Sequence, residues 1–102
     1  MAITNYKRGV HFEYRVIKYL RENGFFVVRQ AKSSFPDIIA VRKSTGKKIC
    51  IECKVNGYLS KEEKEGLIKI WTLFDIHPYM ASRVKRKIKF YDFLFNEYVN
   101  AI

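Results

Sequence analysis

The stretch from residue 37 to residue 63 constrains the fold more than any other. Asp37–Arg42 and Lys48–Val55 are apolar, β-prone runs separated by the turn-forming Ser44-Thr45-Gly46-Lys47, an order that predicts an antiparallel hairpin. Asn56-Gly57 closes the second run. Ser60 followed three residues later by Glu63 has the pattern of a capping box, in which each side chain satisfies a free backbone N–H at a helix start. That helix is expected to run to the neighbourhood of Asp75, because Pro78 and the His77 before it resist helical geometry.

A hairpin followed by a capped helix allows a crossover to a parallel neighbour. Upstream, Val10, Tyr14, Ile17 and Leu20 recur at helical spacing between Gly9 and Asn23, and Asn23-Gly24 supplies the stop. Phe25–Val28 then reads as a strand. Downstream, Tyr79–Val84 and Ile88–Phe93 read as strands around the basic turn Lys85-Arg86-Lys87, while residues 94–102 fit a strand extension or a short helix equally. No repeat, linker or low-complexity tract interrupts the 102 residues, so a single domain over 1–102 is expected. The element order is α-β-β-β-α-β-β, giving an α/β fold with a mixed five-stranded sheet and helices packed on it.

Charge narrows the function. Twenty Lys and Arg against ten Asp and Glu leave +10, with an isoelectric point near 9.8. So basic a surface attracts a polyanion, and nucleic acid is a better fit than an anionic membrane. No apolar run approaches the ~18 residues of a membrane span, and the N-terminus lacks the apolar stretch of a signal peptide. Two cysteines are too few for a disulfide scaffold, which favours a reducing, intracellular setting.

Four charged residues sit where a bland domain would not place them. Glu13 falls between Ile17 and Leu20 on the apolar side of the first helix, where a carboxylate needs an ion pair with a Lys or Arg or a bound cation. Asp37 opens an apolar strand directly after Pro36, a position that also suits a turn or cap residue. Glu52 and Lys54 interrupt the run Ile49, Cys50, Ile51, Cys53, Val55 and share one face of their strand, Ile51 and Cys53 the other. An exposed face with a cross-strand ion pair would account for them. So would a cation site: pairing of the two strands brings Asp37 to the same edge as Glu52, and two close carboxylates repel unless a hard divalent ion sits between them. Lys54 beside that ion could orient the attacking water or stabilise charge on a phosphorus centre. Cys50 and Cys53 match C-x-x-C by letter count. On a strand they face opposite sides with Cα atoms roughly 10 Å apart, so packing rather than redox or zinc chemistry is expected.

Taken in order, Lys7-Arg8-Gly9 with Glu13, Gly24–Arg29, Ser33 and Ser34, Pro36-Asp37-Ile38-Ile39-Ala40 and Ile51-Glu52-Cys53-Lys54 resemble the archaeal Holliday junction resolvases. These belong to the nuclease superfamily named for its P-D…(D/E)-x-K motif. The resemblance extends through Gly66-Leu67-Ile68 and Phe74 to the closing strands. It implies a restriction-endonuclease-like fold and a homodimer that nicks opposed strands of four-way DNA junctions by Mg²⁺-dependent hydrolysis, with Mn²⁺ expected to substitute. It also implies a cytoplasmic setting, in an archaeal cell or in the host of an archaeal virus. By the same resemblance Glu13, Asp37 and Glu52 are the metal-binding acids, Lys54 the catalytic lysine, and Ser34, ahead of Ser33, the catalytic serine. Lys7, Arg8, Arg29, Lys32 and Ser33 would contact DNA.

The second helix is apolar on the stripe Leu67, Ile70, Trp71, Phe74 and carries Ile68, Leu73 and Ile76 outside it. A helix apolar this far round is covered on more than one side. A second copy of the chain, docked on Ile70, Trp71 and Phe74, would supply the second cover. Two competing functions stand beside junction cleavage. One is a nuclease of the same superfamily that acts on flaps or duplex DNA, and the other is a DNA-binding module without catalysis.

Overall fold

A computed structural model describes residues 5–30 and 35–102. Helix α1 (Asn5–Glu22) is followed by strands β1 (Phe25–Arg29), β2 (Ile38–Arg42) and β3 (Lys48–Cys53). Helix α2 (Lys61–Phe74) and strands β4 (His77–Val84), β5 (Lys87–Asp92) and β6 (Glu97–Val99) complete the chain. The sheet has six strands in sequence order, and only β3 and β4 run parallel, joined by α2 as the crossover. The expected hairpin is present, with Ile38 opposite Ile51 and Val41 opposite Lys48.

β3 lies at the centre and is covered on both faces. Ile49 and Ile51 face α1, where Phe12, Val16, Ile17 and Leu20 meet Phe25, Val27, Ile38, Ala40 and Phe90. Cys50 faces the other way, under α2, with Leu59, Leu67 and Met80. The two cysteines therefore do point to opposite sides, and burial pushes the Cys50 thiol up to about 12. Asn23 and Gly24 close α1 as expected, Gly24 taking φ +85, where a side chain is strained.

The structure corrects three expectations. Tyr14 is 54% exposed, because the buried arc of α1 is centred between Val16 and Leu20 and leaves Tyr14 to one side; the Arg29 guanidinium sits 5.3 Å from its ring centre. The strand expected from Tyr79 begins at His77, two residues earlier, with Pro78 opposite Cys50 in the ladder; extended backbone tolerates the fixed φ of proline. The sheet has six strands rather than five. The Asp92 carboxylate accepts the N–H groups of Leu94 and Phe95 at 2.9 and 3.2 Å, and Asn96 takes the left-handed conformation. Together they fold the apolar Phe93-Leu94-Phe95 segment into a turn and return β6 onto β5.

Candidate active site

One end of the β2–β3 hairpin gathers the charged residues. Asp37 immediately precedes β2, and its carbonyl accepts the Gln30 N–H at 2.8 Å, which ties it to the end of β1. Its carboxylate accepts the Cys53 N–H at 2.8 Å, while its own N–H donates to Glu52 Oε1 at 3.1 Å. Asp37 and Glu52 are thus interlocked through backbone and side chain across the hairpin. Glu52 is only 6% exposed, which excludes the open sheet face as its setting. Burial, then the Asp37 carboxyl and then Glu63, push its pKa from 4.5 to about 9.

Glu13 reaches the same cluster from α1. It does have the ion-pair partner that its apolar surroundings called for, since Arg29 Nε lies 3.0 Å from its Oε2. It also touches the Asp37 carboxyl, and burial and Asp37 raise its pKa while Arg29 opposes the rise. The ion-pair reading of Glu13 therefore holds, and the same side chain reaches Asp37.

Lys54 follows β3 directly, and its backbone N–H donates to the Ala81 carbonyl of β4 at 2.8 Å. Its ammonium lies 2.7 Å from Glu63 Oε2 in the first turn of α2. Burial alone would lower the Lys54 pKa, but Glu63 and then Glu52 and Asp37 raise it above the ordinary value. Glu63 is held down to about 2: Lys54 and the Ser60 N–H outweigh the effect of burial. Glu63 is the site residue that the sequence analysis missed. It was visible only as half of a capping box, a pattern that leaves its second carboxylate oxygen unspecified.

Among the described residues, no three His, Cys, Asp or Glu side chains converge as a preformed metal cage. The carboxyl groups instead bond to one another in pairs, Glu13 with Asp37 and Asp37 with Glu52. Their chemistry still suits a hard cation. Mg²⁺ needs only one or two carboxylates and completes its shell with water and phosphate oxygens. A carboxyl as strongly discouraged from ionising as Glu52 gains a counter-charge when an ion arrives.

A cleft of about 410 Å³ beside this cluster is lined by Arg8, Gly9, Cys53, Lys54, Val55 and Asn56. Arg8 and Lys54 therefore face the same space, and Lys7 and Arg8 are exposed at the start of α1. Arg29 is engaged with Glu13 and Tyr14 at the cluster's edge. Lys32, Ser33 and Ser34 lie outside the described residues. Trp71 and Phe74 stand apart from the acids, toward the far end of α2, and Ile70 packs partly into the Cys50–Met80 cluster.

Known proteins resemble the chain over most of its length. A family model described as archaeal Holliday junction resolvase (Hjc) matches residues 4–99. The crossover junction endodeoxyribonuclease Hjc of Methanocaldococcus jannaschii is 35% identical over 89 residues, covering 83% of this chain. The match spans 65% of that relative's length. The crystal structure of Archaeoglobus fulgidus Hjc, a Holliday junction resolvase from an archaeal hyperthermophile, superposes with a TM-score of 0.73 at 26% identity. That match covers 90% of this chain and 88% of the other. With a family match over nearly its whole length and an Asp37–Glu52–Lys54 cluster at the end of the central hairpin, the chain belongs to the archaeal Holliday junction resolvase family.

Proposed function

We propose that the chain is a metal-dependent endonuclease that resolves four-way DNA junctions as a homodimer. The observation that carries this reading is the interlocked Asp37–Glu52 pair with Lys54 beside it, in a chain of net charge +10. Asp37 and Glu52 would hold Mg²⁺, with Glu13 completing the acidic face, and Mn²⁺ would substitute. The ion, when bound, lowers the pKa of a water and neutralises phosphate charge. Lys54 would supply a positive charge near the non-bridging oxygens, on which negative charge builds as phosphorus becomes five-coordinate. Arg8, across the cleft, and Lys7 anchor flanking phosphates. Water oxygen would bond to phosphorus as the bond to the leaving sugar oxygen breaks; the water gives up a proton to solvent and the leaving oxygen takes one up. A catalytic serine at Ser34, with Ser33 and Lys32 beside the DNA, belongs to the same proposal.

A cleavage panel tests it. Purified chain in Mg²⁺ is offered a four-way junction, a flap, a nicked duplex and a linear duplex. Paired nicks confined to the four-way junction are expected. Preference for the flap or duplex would make it a nuclease of different selectivity, and cleavage of none would leave a binding module.

The dimer rests on exposed apolar surface. On the C-terminal half of α2, Leu73 and Phe74 are 61% and 58% exposed and Trp71 is 37% exposed. Phe26 and Val28 are exposed on the same face of the sheet as Ile39, whose side chain packs into the α2 cluster. Exposed apolar side chains gathered on one helix end suit an interaction surface, and aromatics dominate interface energetics. Phe74→Ala is therefore expected to cost about 2 kcal/mol or more of association. It should sediment as a folded monomer and lose coordinated double nicking. A wild-type chain that sediments as a monomer at micromolar concentration would exclude the dimer.

A further inference from the structure

Glu63 uses its carboxylate twice. One oxygen, Oε1, accepts the Ser60 N–H at 3.1 Å, while the Glu63 N–H donates to Ser60 Oγ at 3.1 Å, so the capping box is closed. The other, Oε2, holds the Lys54 ammonium at 2.7 Å. Lys54 is thereby fixed at both ends: β4 binds its backbone N–H and α2 its charged tip. A free lysine side chain samples many rotamers, and ordering it costs conformational entropy. A carboxylate that is itself bound into a helix start can bear that cost before substrate arrives. The Glu63 carboxylate is also close enough to help raise the Glu52 pKa, so the same side chain spans the lysine and the acid pair.

We propose that Glu63 is a positioning residue for strand nicking: anchored by the capping box of α2, its carboxylate holds the Lys54 ammonium beside Asp37 and Glu52. The proposal rests on the reading of Lys54 as the catalytic lysine. It separates two jobs that one residue performs, opening the helix and aiming the lysine.

Two substitutions pull the jobs apart. Gln serves in a capping box as well as Glu does, so Glu63→Gln keeps the helix start and removes the anion, whereas Glu63→Ala removes both. Single-turnover nicking of a saturating four-way junction in Mg²⁺ is compared with junction affinity in Ca²⁺ and with the thermal midpoint. The nicking rate is expected to fall about tenfold to a hundredfold in both variants, as misplacement of a reacting group does. Affinity should stay unchanged, and only Glu63→Ala should lower the midpoint. A Glu63→Gln variant that nicks at the wild-type rate overturns the proposal, because Glu63 then acts through the cap alone. Equal losses of midpoint and rate in Glu63→Gln overturn it as well. Lys54→Ala is the control for the underlying reading. If it nicks like wild type, the assignment of Lys54 fails; if it is inactive while Glu63→Gln is not, only the role of Glu63 fails.

Discussion

Asp37→Asn is expected to reduce nicking by on the order of a thousandfold or more while leaving junction binding intact or slightly tighter. Asn is nearly isosteric, and its carbonyl oxygen can still accept the Cys53 N–H that Asp37 accepts at 2.8 Å, so the hairpin end keeps its geometry. What disappears is the negative charge that would hold the metal, and with it some repulsion of the approaching phosphate. The variant should also be more stable than wild type when metal is removed. In the fold, burial and Asp37 raise the Glu52 pKa from the ordinary 4.5 to about 9. Between those values the folded chain binds more protons than the unfolded one, so its metal-free stability falls as pH rises across that window. Neutralising Asp37 removes the second of those causes and flattens the fall. Melting curves in chelator at mildly acidic and mildly alkaline pH measure this, and nicking assays in Mg²⁺ measure the rest. Nicking near the wild-type rate by the purified variant would sink the metal assignment.

The second large effect is on binding. With +10 per chain, Lys7 and Arg8 exposed at the start of α1, and Arg8 sharing a cleft with Lys54, junction affinity should fall steeply with salt. Each phosphate neutralised contributes a slope of about 0.9 in log K against log salt. A dimer that covers six to ten phosphates would lose roughly 10³–10⁵ in affinity between about 50 and 200 mM. Fluorescence anisotropy with a labelled four-way junction gives the slope directly. A flat dependence over that range would remove the basic surface from the recognition mechanism. Arg8→Ala should lower the slope by about one phosphate's worth without altering which DNA shape is chosen.

Much of this architecture is legible in the sequence because local rules and tertiary needs agree there. The hairpin, the capped start of α2 and the stop at Gly24 each depend on residues within a few positions of one another. Asp37 and Glu52 are found because a charge in an apolar strand violates the pattern around it. Other features depend on distant partners or on which way a side chain turns. Tyr14 has the right helical spacing for the core, but which arc of α1 is buried is set by where the sheet lies. β6 is hidden because Leu94 and Phe95 read as apolar continuation, while the turn depends on Asp92 turning its carboxylate back onto their N–H groups. Glu63 shows the limit most clearly. Its cap is local and visible, whereas its bond to Lys54 joins positions nine residues apart through the crossover.

The hairpin also has a polarity with practical use. The acids and Lys54 cluster where β2 begins and β3 ends, while the Ser44–Lys47 turn closes the opposite end, five strand residues or about 17 Å away. The turn residues 44–47 are exposed, and Gly46 is bonded back to the Arg42 carbonyl at 2.7 Å. Within the turn, Thr45 Oγ1 accepts the Lys47 N–H at 3.2 Å, a bond local to it. Gly46 and Lys47 line one recess with Trp71, so a dye or spin label placed on the turn would report whether that end of α2 becomes covered, at a distance from Asp37, Glu52 and Lys54.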